Sequence, residues 1–207
     1  DGIYMVILYL TFLTVISAFN ILVHHRINPK LNGPYTLLFY SVFIACLGHL
    51  LLALSTNLDQ AILSNKMIYV GSICLPLFTF DAGISICKIR LPHWCYDLLA
   101  IVVFAVFVLS QTVGFSDIYY KSIKFIYTNG IGNFTAVYGI GHDIFNCMMV
   151  GFVLINVSLI VYAFITRRNV SFNSLIALSS IEVVSILSFF VSRFIDSDTL
   201  IMPAVYV

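Results

Sequence analysis

Residues 140–165 read IGHDIFNCMMVGFVLINVSLIVYAFI, with one acidic side chain, Asp143, near the start and no Lys or Arg. About 20 apolar residues in a helix cross the hydrocarbon core of a bilayer. This stretch is therefore a membrane span, and Thr166-Arg167-Arg168-Asn169 ends it. The rest of the chain has the same character. Of its 207 residues 61% are hydrophobic and 9% charged, and the mean hydropathy is +1.04. Ordinary soluble domains have about 25% charged residues, so this chain cannot clothe a solvated surface. A soluble enzyme and a disordered regulator are excluded. Ten Lys and Arg against nine Asp and Glu make no basic face, so nucleic acid is excluded as a partner too. Long apolar runs instead of short alternating ones exclude a transmembrane barrel.

Five more apolar runs lie along the chain, and a further one begins at its end. Residues 3–23 form the first, ended by His24-His25-Arg26 and Asn28-Pro29. Gly33-Pro34 opens the second, residues 35–55, with Pro at the helix start. The third runs from about Ala61 to Cys87, and Pro76 inside it predicts a kink. Lys88, Arg90, Pro92 and His93 form the next connection, and the fourth run covers about Asp97 to Val113. Residues 140–165 are the fifth, and Phe172 to about Ser192 the sixth. A seventh starts at Leu200 and is cut off. The expected fold is an all-α membrane protein, a seven-helix transmembrane bundle with its seventh helix truncated. The opening residues lack an initiator Met and a basic n-region, so 1–207 is expected to be a single domain cut from a longer protein.

Alternate connections differ in charge. Those after spans one, three and five hold six Lys and Arg (Arg26, Lys30, Lys88, Arg90, Arg167, Arg168). The others hold four (Lys66, Lys121, Lys124, Arg193) together with Asp59, Asp117, Asp196 and Asp198. The positive-inside rule then puts the N-terminus outside a cell membrane that the chain crosses many times. One connection, residues 114–139, is far longer than the rest, and loops of that length are usually functional or disordered. Ile118, Tyr119, Tyr120, Ile123, Phe125, Ile126, Tyr127, Phe134, Val137 and Tyr138 favour strands, and 128–133 carry a turn signal. An external β-hairpin between helices 4 and 5 is expected, Ser122–Tyr127 against Phe134–Tyr138. A lid over the bundle and a ligand-facing element both fit it.

Ionisable and polar groups inside a bilayer are the most informative features left. They are Asp81 late in span three, Glu182 in span six, His49 in span two and Asn156 in span five. Asn156 and Glu182 lie at nearly the same distance from the turn at Arg168-Asn169. At 1.5 Å per residue that puts them level, so an interhelical hydrogen bond is expected. No H-E-x-x-H, G-x-S-x-G or metal-ligand spacing is present, so no catalytic residue, metal or cofactor is assigned. Four of the five cysteines lie in or beside apolar runs and Cys95 in a connection, without a C-x-x-C pair, and read as small apolar fillers. At the outer ends of spans three and five, Tyr69, Tyr138, His142, Asp143 and Asn146 are the expected ligand-binding set. His142 and Asn146 share a helix face at i,i+4, and the tyrosines offer an apolar wall. Anchoring of the hairpin explains the same residues equally well.

Three short patterns carry a resemblance. Asn65-Lys66-Met67-Ile68-Tyr69-Val70-Gly71 is followed five residues on by Pro76, Leu91-Pro92 precedes span four, and Tyr138-Gly139-Ile140-Gly141 leads into span five. With them the chain resembles the seven-transmembrane N-terminal sensory region of bacterial histidine kinases and related diguanylate cyclases. It departs from that pattern in lacking an aromatic ahead of Lys66 and in opening span five with His142-Asp143. A microbial rhodopsin would need a Lys in span seven and tryptophans around retinal, but the one Trp is Trp94, in a connection.

The resemblance implies a membrane-embedded sensory input domain that is not itself an enzyme. It would detect an external or membrane-borne small molecule and act through helix 7 on a cytoplasmic kinase or cyclase output domain in the same chain. The implied partners are lipid, that ligand and the output domain, with a homodimer left open. A small-molecule transporter or channel is the alternative, and would show a polar path and broken helices. An intramembrane enzyme would need converging catalytic groups.

Overall fold

The computed structural model describes residues 2–27 and 34–166, and within 172–187 residues 172, 175, 176, 178–180, 182–184, 186 and 187. The elements are α1 (Gly2–Ile27), α2 (Pro34–Leu54), α3 (Leu58–Ser72), α4 (Leu75–Cys87), α5 (His93–Gln111), β1 (Tyr120–Thr128), β2 (Ile131–Tyr138) and α6 (Ile140–Ile165). The described residues of 172–187 are helical too. Five stretches are long and apolar enough to cross a membrane, with α3 and α4 together making one of them, Leu58–Cys87. At 1.5 Å per residue the 26-residue α1 and α6 each extend about 39 Å. The seventh run, from Leu200, and the end of the sixth lie outside the described residues.

Burial runs opposite to that of a water-soluble protein. Leu8, Phe12, Phe19 and Leu22 of α1 are exposed, while Ser17, Ser41, Ser64, Asn65, Asn156 and Glu182 are buried. Polar groups that face neighbouring helices while apolar ones face outward are what a hydrocarbon solvent selects. Close helix approach does the rest. A Cβ at Gly48 of α2 would lie 2.7 Å from the Ile68 nitrogen of α3, and one at Gly71 would fall on the Ser41 carbonyl and Ala45. These small residues let α2 and α3 touch backbone to backbone. The main core runs from Tyr69 and Ile73 through Phe80 and Val106 to Met148 and Phe152, joining α3, α4, α5 and α6.

Pro76 breaks span three. It has no N–H to give the Ser72 carbonyl, and the helix stops at Ser72 and resumes at Leu75 with Pro in its first turn. At the far end of α4, Lys88 adopts φ 52°. The Ile89 N–H then bonds to Ile84 O at 3.1 Å and the Lys88 N–H to Ser85 O at 3.3 Å, a Schellman closure.

The hairpin is present, and it is longer and tighter than expected. Strands pair from Thr128↔Ile131 back to Ser122↔Val137, with a register shift before Tyr120↔Tyr138. The connection is the dipeptide Asn129-Gly130, with φ 53° and 74°, not the six-residue turn over 128–133. Positive φ at both positions is the type I′ geometry that matches the twist of the strands. Ile123, Phe134 and Ala136 pack on the main core, and Gly132 lies against Ser55 and the Leu52 carbonyl at the end of α2. A second correction concerns α5, which starts at His93, so His93, Trp94 and Cys95 form its first turn and not a connection. His24 and His25 likewise close α1, where His24 Nε2 lies 3.2 Å from Thr36 Oγ1 of α2.

Candidate ligand site

Where the hairpin meets the helix ends, aromatic side chains form a closed nest. Tyr69 comes from α3, Tyr119 from just before β1, Tyr120 from the start of β1, Tyr138 from the end of β2, and His142 and Phe145 from the first turns of α6. The backbone fixes this meeting. The Gly139 N–H bonds to Tyr119 O at 2.9 Å and the Gly141 N–H to Ile118 O at 2.8 Å. Gly139 is needed for that approach, because a Cβ there would press on the Asp117 and Ile118 carbonyls, and Gly141 fits it closely, since a Cβ there would lie 3.1 Å from the Tyr119 ring. The Tyr-Gly-x-Gly pattern is thus a clamp that holds the start of the hairpin to the start of α6.

Inside the nest the Tyr69 and Tyr120 hydroxyls are 2.7 Å apart. The Tyr119 ring meets Tyr69 edge-on at 5.1 Å and His142 at 5.7 Å. The Tyr138 ring stacks flat on His142, 3.9 Å between centroids and 14° between planes. Asn146 Nδ2 lies 3.1 Å from His142 Nδ1, within hydrogen-bond distance. Tyr119 and Tyr120 are buried, whereas Tyr138 is 47% exposed and roofs the nest. Burial pushes both the Tyr119 and Tyr120 hydroxyls up from the ordinary phenol value. They stay neutral phenols, suited to hydrogen bonding and not to proton transfer. Among the described residues, the buried Asn65 Nδ2 and Tyr119 Oη atoms have no partner in hydrogen-bonding geometry.

Of the residues singled out in the sequence, Tyr69, Tyr138, His142 and Asn146 come together here, as a packed cluster. Asp143 lies on the exposed face of α6. Tyr119, Tyr120 and Asn65 were missed. The adjacent tyrosines read only as strand formers, and Asn65 only as the neighbour of Lys66, whose ammonium lies 4.2 Å over the exposed Phe115 ring.

Deeper along α6, Asn156 Nδ2 donates to Glu182 Oε2 at 3.4 Å, with both side chains buried. Ser179 bonds to the Leu175 carbonyl of its own helix. His49 is buried on α2, and half-buried Asp81 on α4 lies near Tyr96 of α5. Among the described residues no group of three His, Cys, Asp or Glu converges on a metal position.

The family profile of the N-terminal 7TM region of histidine kinases matches residues 5–203. The chain belongs to that family. No curated protein and no solved structure matches it. The 7TM region is a sensory membrane region, not a catalytic domain. In this 7TM region the Lys66-to-Gly71 pattern has visible work: Lys66 rests on Phe115, Tyr69 anchors the nest, and Gly71 lets α3 reach α2.

Proposed function

We propose that residues 1–207 act as one sensory input domain of a longer bacterial signalling protein. The domain is a seven-helix bundle with its N-terminus and hairpin outside the cell membrane. A small external or membrane-borne molecule enters at Tyr138, His142 and Asn146 and changes the packing of Tyr69, Tyr119 and Tyr120 beneath. Helix 7 carries the change to a cytoplasmic output domain, a histidine kinase by family and a diguanylate cyclase as the alternative. Carrying this reading is the nest itself, in which one cluster of side chains ties the hairpin to both α3 and α6. The Asn156–Glu182 pair links α6 onward to the helical residues within 172–187. The energy required is small, since a cue need only favour one packing by a few kcal/mol.

The test uses the full-length protein. Asn146→Ala and His142→Ala should leave expression in the membrane unchanged while shifting basal output several-fold, read as autophosphorylation or cyclase activity. Normal basal output and normal response in both variants would sink the site. Alkaline phosphatase fused after Gly130 should be active, and an inactive fusion there would reverse the orientation.

A further inference from the structure

At the end of the bundle opposite the hairpin, an open cleft of about 600 Å³ lies between the close of α4 and the second half of α6. Its floor is Phe80, Ile155 and Leu159, and Lys88 and Arg90 line its mouth. The local chain explains this division. Past the Schellman closure Ile89 and Leu91 turn half-buried toward the core, while Lys88 and Arg90 alternate with them and stay exposed. Among the described residues no acidic side chain lines the cleft and Arg90 has no ion pair. Trp94 is 66% exposed in the first turn of α5, directly after this segment, as expected at the level of lipid headgroups.

We propose that this cleft holds an anionic phospholipid of the surrounding bilayer. Its phosphate sits between Lys88 and Arg90, and an acyl chain lies along Phe80, Ile155 and Leu159. Charge and depth select this occupant. An apolar floor beside two cations at the membrane boundary matches a lipid, whereas a free anion would leave the floor unfilled. The site rests on the membrane-spanning reading alone and is independent of the aromatic nest.

Native mass spectrometry of the full chain, released from micelles with added phosphatidylglycerol or phosphatidylcholine, tests the proposal. The wild type should retain phosphatidylglycerol in preference to phosphatidylcholine. Each basic side chain near an anionic lipid is worth about fivefold in affinity, so K88Q/R90Q should lose roughly 25-fold for phosphatidylglycerol alone. R90K should bind nearly as the wild type. Ser158→Phe, which fills the cleft while keeping both cations, should weaken retention of phosphatidylglycerol. It also keeps the test decisive if the double variant fails to fold. Undiminished phosphatidylglycerol binding by K88Q/R90Q or by Ser158→Phe overturns the proposal. Displacement of the lipid by an equal concentration of inorganic phosphate overturns it in favour of a free-phosphate site. Failure here leaves the sensory reading of the hairpin end intact, because the assay reads neither the nest nor the output.

Discussion

Tyr120→Phe removes one of two buried hydroxyls that lie 2.7 Å apart and leaves the other, on Tyr69, without that partner. Stranding a buried hydroxyl costs about 1–3 kcal/mol, whereas replacing both partners by apolar groups of the same shape is nearly neutral. The single variant should therefore lose about 2 kcal/mol. The double variant Tyr69→Phe/Tyr120→Phe should lose under ~1 kcal/mol, well short of the sum of the two singles. For a chain of this length 1 kcal/mol corresponds to roughly 2–4 °C in Tm, so Tyr120→Phe should melt about 4–8 °C lower. Unfolding in lipid nanodiscs can be followed through Cys46 and Cys87, both buried and outside any disulfide, which react with a fluorogenic maleimide only as the bundle opens. The exposed Cys147 is blocked beforehand. Tyr119→Phe is the control. Among the described residues its hydroxyl has no partner in hydrogen-bonding geometry, so removing it should be neutral or slightly stabilising. If the double variant's loss equals the sum of the singles within about 0.5 kcal/mol, the two hydroxyls are not coupled and the reasoning fails.

Gly71→Leu should destabilise by about 1–3 kcal/mol through overpacking of α2 on α3, measured in the same melt, and a neutral result would deny their close approach. Asn156→Leu should cost about 0.6–1.7 kcal/mol by stranding Glu182, while Ser179→Ala, whose hydroxyl bonds within its own helix, should be silent. Gly130→Ala, at φ 74°, should cost about 1–2 kcal/mol and speed protease cleavage of the hairpin several-fold, with no change if the type I′ turn is wrong. Tyr119 and Tyr120 are raised above the ordinary phenol value of 10.0. Their contribution should be constant below pH 10 and fall as pH rises above it, because the unfolded chain ionises first. A melt whose stability rises above pH 10 would contradict this.

The sequence located elements well where hydropathy alone decides. Residues 140–165 form a helix over the same bounds, because Gly139 and Thr166 flank an unbroken apolar run. The kink at Pro76 was legible for a local reason, the missing N–H. His93 to Cys95 were not, since polar residues in a first helical turn look like a connection until Pro92 is seen to precede them as the cap. The turn was overestimated because Ile131 to Asn133 resemble loop residues, whereas strand pairing reaches Ile131. Tyr69, Tyr138, His142 and Asn146 were found through their common depth. Tyr120 was not, because its partner Tyr69 is 51 residues away and periodicity says nothing of which aromatic faces which.

The interruption of span three at Ile73-Cys74 has a mechanical meaning. A continuous helix resists bending through its ladder of hydrogen bonds, but Pro76 has already removed the rung at Ser72. The upper half, α3, is fastened to α2 and to the aromatic nest, and the lower half, α4, packs on α6. Swinging one half against the other therefore breaks no further rung at that point, and its stiffness is only that of side chains sliding on side chains. Span three is thus less a rod than two levers sharing a pin, with the pin set between the hairpin end and the lipid-facing cleft.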